Sequence, residues 1–193
     1  MYDAVPDPYC YPGTTVLRNL ADIRDQAALD EFEAAMTALR AEEPLPRGRL
    51  GVAQYRAIHH HLFQDVYGWA GQYRKVRIAK DGSAFCYPEH IGEEMKRLFA
   101  ALKDDRYLSG RSPEAFAADA AAFLSTLNAI HPFREGNGRT QVAFLSLLAA
   151  RAGRPLDFDW LEPEAFLAAM VASFKGDDTP LERQILQLLG TAG

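Results

Sequence analysis

The sequence predicts a mainly helical fold, a helical bundle around a central buried helix with one β-hairpin. The segment "TQVAFLSLLAARAG" at 140–153 is apolar on nearly all sides, which predicts the central helix. The segment "RKVRIAKDGSAFCYP" at 74–88 alternates apolar and polar residues around an Asp81-Gly82 pair, a strong hairpin signal. A chain of 193 residues that is 48% hydrophobic is large enough for one complete core.

The first half of the chain contains an arm and two predicted helices. Residues 1–20 are rich in Pro, Tyr and Gly, which predicts an irregular N-terminal arm packed on the body. Helical patterning starts near Asp25 and is stopped by Pro44. A second helix is expected within residues 50–68, where apolar residues recur near helical spacing.

The hairpin is expected to span residues 74–88, with Ser83 to Tyr87 as its return strand. Further helices are expected at 89–105 and from Ser112, a good N-cap followed by proline. Helices at 164–174 and 180–189 complete the set, and we expect a single domain over 1–193.

Composition excludes several classes of function. The net charge of −5 argues against a general electrostatic grip on nucleic acid or on an anionic membrane. Residues 1–15 lack the basic and apolar pattern of a secretory signal, so we expect none there, and the longest apolar run is too short for a bilayer. Two cysteines without CxxC spacing imply neither a disulfide framework nor a zinc site. We expect a cytoplasmic bacterial protein, although delivery into another cell stays open.

The stretch "HPFREGNGR" at 131–139 places anion-binding chemistry directly ahead of the central helix. A turn at Gly136-Asn137-Gly138 can direct backbone N–H groups at one spot, and the helix N-terminus adds partial positive charge. Arg139 adds a planar fork that suits phosphate oxygens. The same residues are also compatible with an ordinary turn and a helix cap.

Two further residues of this stretch suit phosphoryl chemistry. Glu135 could hold Mg²⁺ that bridges a diphosphate. His131 can accept a proton near neutral pH. Together with the predicted anion site, they favour transfer of a phosphorus-centred group to a hydroxyl. By contrast, His59-His60-His61 are unlike a metal site, because successive helical residues point about 100° apart.

"HPFREGNGR" closely resembles the HxFx(D/E)GNGR signature of the Fic family, whose members transfer AMP from ATP to protein hydroxyls. The segments "AIHHHLFQDVYGWAGQYRKVRIAKDG" and "YPGTTVLRN" resemble two further blocks of bacterial members, so the match covers most of the chain. The resemblance implies a Fic fold, in which the hairpin is a flap beside an active-site loop at 131–139. It also implies a protein adenylyltransferase that uses ATP and Mg²⁺.

The resemblance assigns roles to particular residues. His131 would be the general base that deprotonates a Ser, Thr or Tyr of the target protein, and Glu135 would bind Mg²⁺. The α-phosphate would lie against Asn137 and the backbone around it, and Arg139 would hold the β-phosphate. The implied nucleotide-binding residues are Gly136, Asn137, Gly138, Arg139 and Lys80, and the implied target-docking residues of the flap are Arg77, Ile78, Lys80 and Phe85.

The chain departs from the family pattern at Val142, where the usual GNGRxxR motif has a second arginine. A residue three positions after Arg139 lies on the same helix face and could reach the distal phosphates, but valine cannot bind them. Three alternatives follow: adenylyl transfer with a compensating cation such as Lys80 or Arg77, transfer from another diphosphate-containing donor, or a degenerate module that acts as a binding or regulatory partner.

The family's internal inhibitor motif, (S/T)xxxE(G/N), is absent from the sequence, because no Ser or Thr has Glu four residues later. The resemblance therefore suggests a separate small antitoxin if the chain is restrained. Short bacterial members of this kind are often toxins.

Overall fold

The computed structural model describes residues 7–80 and 83–190, and over these residues the chain is mainly helical, as the sequence predicts. None of the helices in those two ranges is both long enough and apolar enough to cross a bilayer. In chain order the helices are α1 (Gln26–Ala41), α2 (Val52–Phe63), α3 (Pro88–Asp104), α4 (Pro113–Ile130), α5 (Asn137–Arg151), α6 (Pro163–Phe174) and α7 (Thr179–Leu188), with 3₁₀ turns at Arg106–Leu108 and Phe158–Trp160.

Side-chain caps define the starts of two helices. The Asp25 carboxylate accepts the Ala28 N–H at 2.9 Å at the start of α1. The Ser112 hydroxyl accepts the Ala115 N–H at 3.2 Å at the start of α4, which confirms the predicted cap. Helix α2 ends five residues earlier than its pattern indicates, because the chain turns there and buries Val66 and Tyr67 in the core.

An aromatic cluster lies beneath the start of α5. Tyr55 of α2 stacks on Phe133 and meets Phe144 edge-on, each with ring centroids 5.6 Å apart. Phe133 is fully buried, so it anchors the residues that precede α5 to the core. Aromatic pairs of this geometry contribute about 0.5–1.5 kcal/mol each beyond their burial.

Helix α5 is central, but it is not buried on every side. Phe144 and Leu148 are fully buried, while Val142 and Ser146 on another face are half-buried and line a cavity. The sequence predicts a central helix that is apolar on nearly all sides, and the structure turns one of its faces toward this cavity. The helix ends before Gly153, whose φ of +76° suits a glycine at a helix end.

The flap is shorter than predicted. Its strands β1 (Ala79–Lys80) and β2 (Ser83–Ala84) pair antiparallel, with Ala79 opposite Ala84. Beyond β2 the Cys86 N–H donates to the Ala129 carbonyl at 3.0 Å, so the return segment leaves the hairpin and docks on α4. The predicted Asp81-Gly82 turn lies outside the described residues.

The N-terminal arm reaches the loop at residues 131–139. Cys10 and Leu17 form an isolated antiparallel bridge, and Tyr9 packs edge-on against Trp69 at 5.5 Å. The Asp7 carboxylate accepts a hydrogen bond from Arg134 Nε at 2.8 Å. The first described residues of the chain are therefore fastened to the loop that carries the motif.

Candidate active site

Residues 131–139 connect α4 to α5, so the motif lies between the end of one core helix and the start of another. His131 ends α4 in a left-handed conformation (φ 47°, ψ 64°), and its N–H donates to the Leu127 carbonyl at 3.0 Å. Left-handed backbone is uncommon at residues other than glycine and is found more often at functional sites.

The ring of His131 is held in an orientation that suits a general base. Its Nδ1 lies 3.3 Å from the Asn128 carbonyl oxygen. Because a carbonyl oxygen only accepts hydrogen bonds, Nδ1 carries a proton, and in the neutral ring the lone pair is then on Nε2. The ring also stacks on Phe85 of the flap at 4.0 Å between centroids, so flap and base are in contact.

The side chain of Asn137 fixes the loop. Its Oδ1 accepts the Phe133 N–H at 3.0 Å, and its Nδ2 donates to the Phe133 carbonyl at 2.9 Å. The side chain is buried, with 3% exposure. The sequence assigned Asn137 to the α-phosphate, but this geometry directs its amide to the backbone of the loop. The N–H of Asn137 remains suited to an anion, because the first N–H groups of a helix have no partner within it.

The two glycines beside Asn137 differ in what they accommodate. Gly136 has φ +81°, and a Cβ there would come within 2.3 Å of the Phe63 ring. Gly136 is thus required by the fold. A Cβ on Gly138 would meet no atom within 4 Å, and Gly138 lies at the cavity. The open space above Gly138 lets a ligand approach the N-terminus of α5 closely, which suits a phosphate group.

His59 ties the same loop to the segment before the flap. The Gly71 N–H donates to its Nδ1 at 2.8 Å, so its Nε2 carries the proton and donates to the Glu135 carbonyl at 2.9 Å. Burial lowers the pKa of His59 to about 4, which keeps this imidazole neutral near pH 7. His59 is therefore a structural residue, and the described residues contain no cluster of three or more His, Cys, Asp or Glu side chains that could hold a metal ion.

Glu135 presents a half-exposed carboxylate beside the start of α5. Its Oε1 accepts the Gly136 N–H at 2.9 Å and lies 3.7 Å from Arg139 Nη2. Mg²⁺ usually takes one or two protein carboxylates and completes its shell with phosphate oxygens and water. A single accessible carboxylate next to an anion site fits that pattern.

Arg139 lies across the groove between α5 and α1. Its Nη2 donates to Glu33 Oε1 at 2.5 Å and its Nη1 donates to the Thr37 hydroxyl at 3.3 Å. The guanidinium also lies over the Phe63 ring, 4.7 Å from its centroid. The side chain remains 41% exposed and borders the cavity. The sequence gave no signal for Glu33, which lies 106 residues from Arg139 along the chain.

A cavity of about 620 Å³ joins these groups, a volume in the range of small-molecule sites. His131, Gly138 and Arg139 border it, together with largely apolar residues of α5 and α6. Val142 also lines it, among Ala41, Leu45, Leu62, Phe166, Leu167, Met170, Val171 and Phe174. The position of the missing second arginine thus faces an apolar surface, while Lys175 supplies a cation elsewhere in the lining.

Arg74 is a functional candidate that the sequence interpretation missed. Its side chain is 2% exposed, and burial lowers its pKa. Four backbone carbonyls accept its N–H groups: His131 at 2.8 Å, Val76 at 2.7 Å, Cys86 at 2.5 Å and Ile130 at 3.2 Å. Arg74 thereby fixes both ends of the flap to the residue that carries the candidate base.

The flap residues assigned to target docking differ in exposure. Arg77 is exposed, contacts Glu89 at 3.6 Å and lies over the Tyr87 ring. Ile78 is half-buried, and its carbonyl accepts the Phe85 N–H at 3.2 Å. Phe85 is only 7% exposed and packs against His131 and Phe174, so its ring supports the flap from below. Lys80 belongs to β1, but its side chain is outside the described part of the structure.

Known proteins resemble this chain over almost its whole length. A protein of Sinorhizobium fredii, y4lH, named a probable protein adenylyltransferase, is 56% identical over 97% of this chain and 98% of its own. The probable protein adenylyltransferase Fic of Escherichia coli K12 is 37% identical over 97% of this chain and 94% of its own.

Solved structures agree in fold. The Bartonella tribocorum effector BepC, crystallised with AMPPNP, has a TM-score of 0.82 and 28% identity over 93% of this chain and 95% of that one. A Bartonella quintana Fic domain with bound ADP has a TM-score of 0.80 and 32% identity over 93% of each chain. The family model described as the Fic/DOC family matches residues 49–149, which include α2, the flap and the whole motif. This chain belongs to the Fic/DOC family.

Proposed function

We propose that this protein is an adenylyltransferase that transfers AMP from ATP to a Ser, Thr or Tyr hydroxyl of a target protein. One observation carries the proposal: a histidine with its lone pair on Nε2, the N-terminus of α5 and Arg139 all border the same cavity. The names of the relatives and the adenine nucleotides bound in related structures support ATP as the donor.

The reaction forms a bond between the target oxygen and the α-phosphorus. The bond from that phosphorus to the oxygen bridging to the β-phosphate breaks, and diphosphate leaves. His131 Nε2 takes the hydroxyl proton, a contribution that is typically 100- to 10,000-fold in rate. The N–H groups at the start of α5, from Asn137 to Arg139, would stabilise charge on the α-phosphate.

The leaving diphosphate would be held by Arg139 and by Mg²⁺ bound at Glu135. The metal would neutralise charge that develops on the leaving group. Arg139 is suited to the β-phosphate because its fork can donate two parallel hydrogen bonds. Lys80 is the further nucleotide-binding residue of the proposal.

The flap would align the target by adding an extended segment of it as a strand beside residues 77–80. Arg77, Ile78 and Lys80 would contact the added strand, and Phe85 would act by holding the flap over His131. Main-chain pairing of this kind explains how a short hairpin could position a hydroxyl without a deep pocket for each side chain.

A second candidate is a Fic-fold transferase that uses another diphosphate-containing donor. The observation in its favour is the apolar lining around Val142, which offers no charge to a γ-phosphate. A donor that carries an uncharged group beyond its β-phosphate would suit that lining better than a triphosphate does.

We place the activity in the bacterial cytoplasm and propose regulation by a separate small antitoxin, as expected for a toxin-like member. Related structures are of effectors described as VirB-translocated, so action inside another cell is the alternative.

The decisive experiment is label transfer in a cell lysate with Mg²⁺ and ATP labelled at either the α- or the γ-phosphate. We expect label on protein from the α-position only, and none with His131→Ala. Transfer from the γ-position would identify a kinase, and no His131-dependent transfer from either position would overturn ATP as the donor.

A further inference from the structure

We propose that Glu33 is a positioning residue that holds Arg139 in the orientation needed for the phosphates of the donor. Glu33 lies on α1, before the region that the family model matches. The inference rests on the proposed role of Arg139 and adds a residue to which neither the motif nor the comparisons assign a role.

Both oxygens of the Glu33 carboxylate have a partner, so its orientation is fixed. Oε1 accepts from Arg139 Nη2 at 2.5 Å, and Oε2 accepts from the Tyr67 hydroxyl. Tyr67 is 2% exposed, and burial together with this contact raises its pKa, so the hydroxyl keeps its proton at physiological pH. The Glu33 side chain itself is only 13% exposed.

Three groups then define the position of the guanidinium. Glu33 accepts from Nη2, Thr37 accepts from Nη1, and the Phe63 ring lies under the guanidinium plane. We call Glu33, Thr37 and Phe63 the arginine seat. The seat uses two of the five N–H donors of the guanidinium and leaves three for a ligand. Because the side chain is 41% exposed and borders the cavity, a ligand in the cavity can reach the guanidinium.

The seat matters more in this chain than in one with the full motif. Val142 removes the second arginine, so Arg139 is the only arginine among the residues that border the described cavity. A long side chain must lose much rotational freedom when it binds a phosphate. A seat that has already fixed the side chain reduces this loss, which favours binding more than the opposing charge of Glu33 disfavours it.

The test compares nucleotide binding by Glu33→Gln and by Glu31→Gln, an exposed glutamate of the same helix. Titration calorimetry with ADP and with AMP separates the β-phosphate from the rest of the ligand. We expect Glu33→Gln to weaken ADP binding by about tenfold and AMP binding by less than about twofold. Glu31→Gln should change neither. Thr37→Val, which removes one hydroxyl, should weaken ADP binding in the same direction by about threefold.

A double-mutant cycle tests whether Glu33 acts through Arg139. In an Arg139→Ala background, Glu33→Gln should have no further effect on ADP affinity. An undiminished effect in that background would overturn the proposal, as would tighter ADP binding by Glu33→Gln, which would make Glu33 a competitor of the phosphate.

A measurement without nucleotide separates failure of this inference from failure of the proposed function. The Nε–Hε NMR signal of Arg139 should indicate an ordered side chain in the natural protein and a mobile one in Glu33→Gln. If this difference is present but ADP binds to neither protein, the role of Glu33 in ordering Arg139 is supported and ATP as the donor is contradicted. If Arg139 is equally mobile in both, the inference is wrong whatever the donor is.

Discussion

The two ends of the motif loop are held by different chemistry. At the first end, His131 is fixed through Arg74, which donates only to neutral backbone carbonyls. At the second end, Arg139 is fixed by a carboxylate, a hydroxyl and an aromatic ring. Arg74 is buried and does not border the cavity, whereas Arg139 is half-exposed and borders it.

The difference indicates what each end has to do. The proposed base must keep one geometry, and backbone acceptors supply a geometry that no side-chain rotation can change. The arginine proposed to bind the phosphates must remain accessible, and a side-chain seat leaves donors available. We therefore expect substitutions at the first end to reduce stability and substitutions at the second end to alter ligand binding.

The largest effect should come from Arg74→Met, which leaves four backbone carbonyls without the donor that a nearly buried guanidinium supplies. We expect a loss of about 3–5 kcal/mol in the free energy of unfolding. Urea unfolding would measure it, with Arg77→Met as a control at an exposed arginine, where the change should stay within about 0.5 kcal/mol. A loss below about 1 kcal/mol for Arg74→Met would contradict the assigned role.

His59, which hydrogen-bonds the middle of the motif loop, should make the free energy of unfolding depend on pH. His59 is neutral in the folded protein because burial lowers its pKa from 6.5 to about 4, whereas in the unfolded chain it titrates near 6.5. Between these values the unfolded state binds more protons, so the contribution of His59 is complete above about pH 6.5 and is lost as the pH falls toward 4.

The expected loss is about 3 kcal/mol at low pH. The measurement is the difference in unfolding free energy between the natural protein and His59→Gln from pH 4 to pH 7.5. A difference that does not vary over this window would show that His59 has an ordinary pKa.

Substitutions at Gly136 and Gly138 should have different effects, the first on stability and the second on nucleotide binding. Gly136→Ala should cost about 2 kcal/mol, because its left-handed backbone and the Phe63 ring both oppose a Cβ. Gly138→Ala should leave stability unchanged or raise it by up to about 1 kcal/mol, because alanine favours helix. The same change should weaken nucleotide binding by narrowing the approach to α5. Thermal unfolding and ADP titration on both variants would check this, and equal losses of stability would contradict it.

The smallest expected effect is a gain in ATP affinity from a substitution at Val142, one helical turn after Arg139. Val142→Arg should tighten ATP binding by about tenfold, because a charge-assisted hydrogen bond to the distal phosphates becomes possible. AMP binding, which lacks those phosphates, is the matched control and should not change. Unaltered ATP affinity would indicate that the cavity lining holds the new side chain away from the nucleotide.

Sequence patterns predicted the helices well, because caps and apolar spacing are local properties. Ser112 is an example, because the residues next to it contain the whole signal for the cap. The early end of α2 and the short flap were not predictable, since each depends on packing against a distant segment. The hydrogen bond from Cys86 to Ala129, for instance, cannot be predicted from the alternation of apolar and polar residues along the strand.

The sequence predicted that the motif residues lie close together, but it did not predict their contacts, and their catalytic roles stay predictions. His131, Glu135 and Arg139 lie together as the motif implies. The amide of Asn137 binds the loop itself, which spacing could not reveal because the acceptor and donor are backbone groups. The same reason hides Arg74, and a separation of 106 residues hides the pairing of Glu33 with Arg139.

The two tryptophans of the chain give the protein optical reporters. Trp69 is half-buried, stacks on Tyr67 at 4.4 Å and lies 6.0 Å from His59, whereas Trp160 is 56% exposed. Their fluorescence should therefore differ in emission wavelength and in accessibility to soluble quenchers. In a Trp160→Phe protein, the remaining emission would come from beside the arginine seat, so stopped-flow fluorescence could follow events there without a synthetic dye.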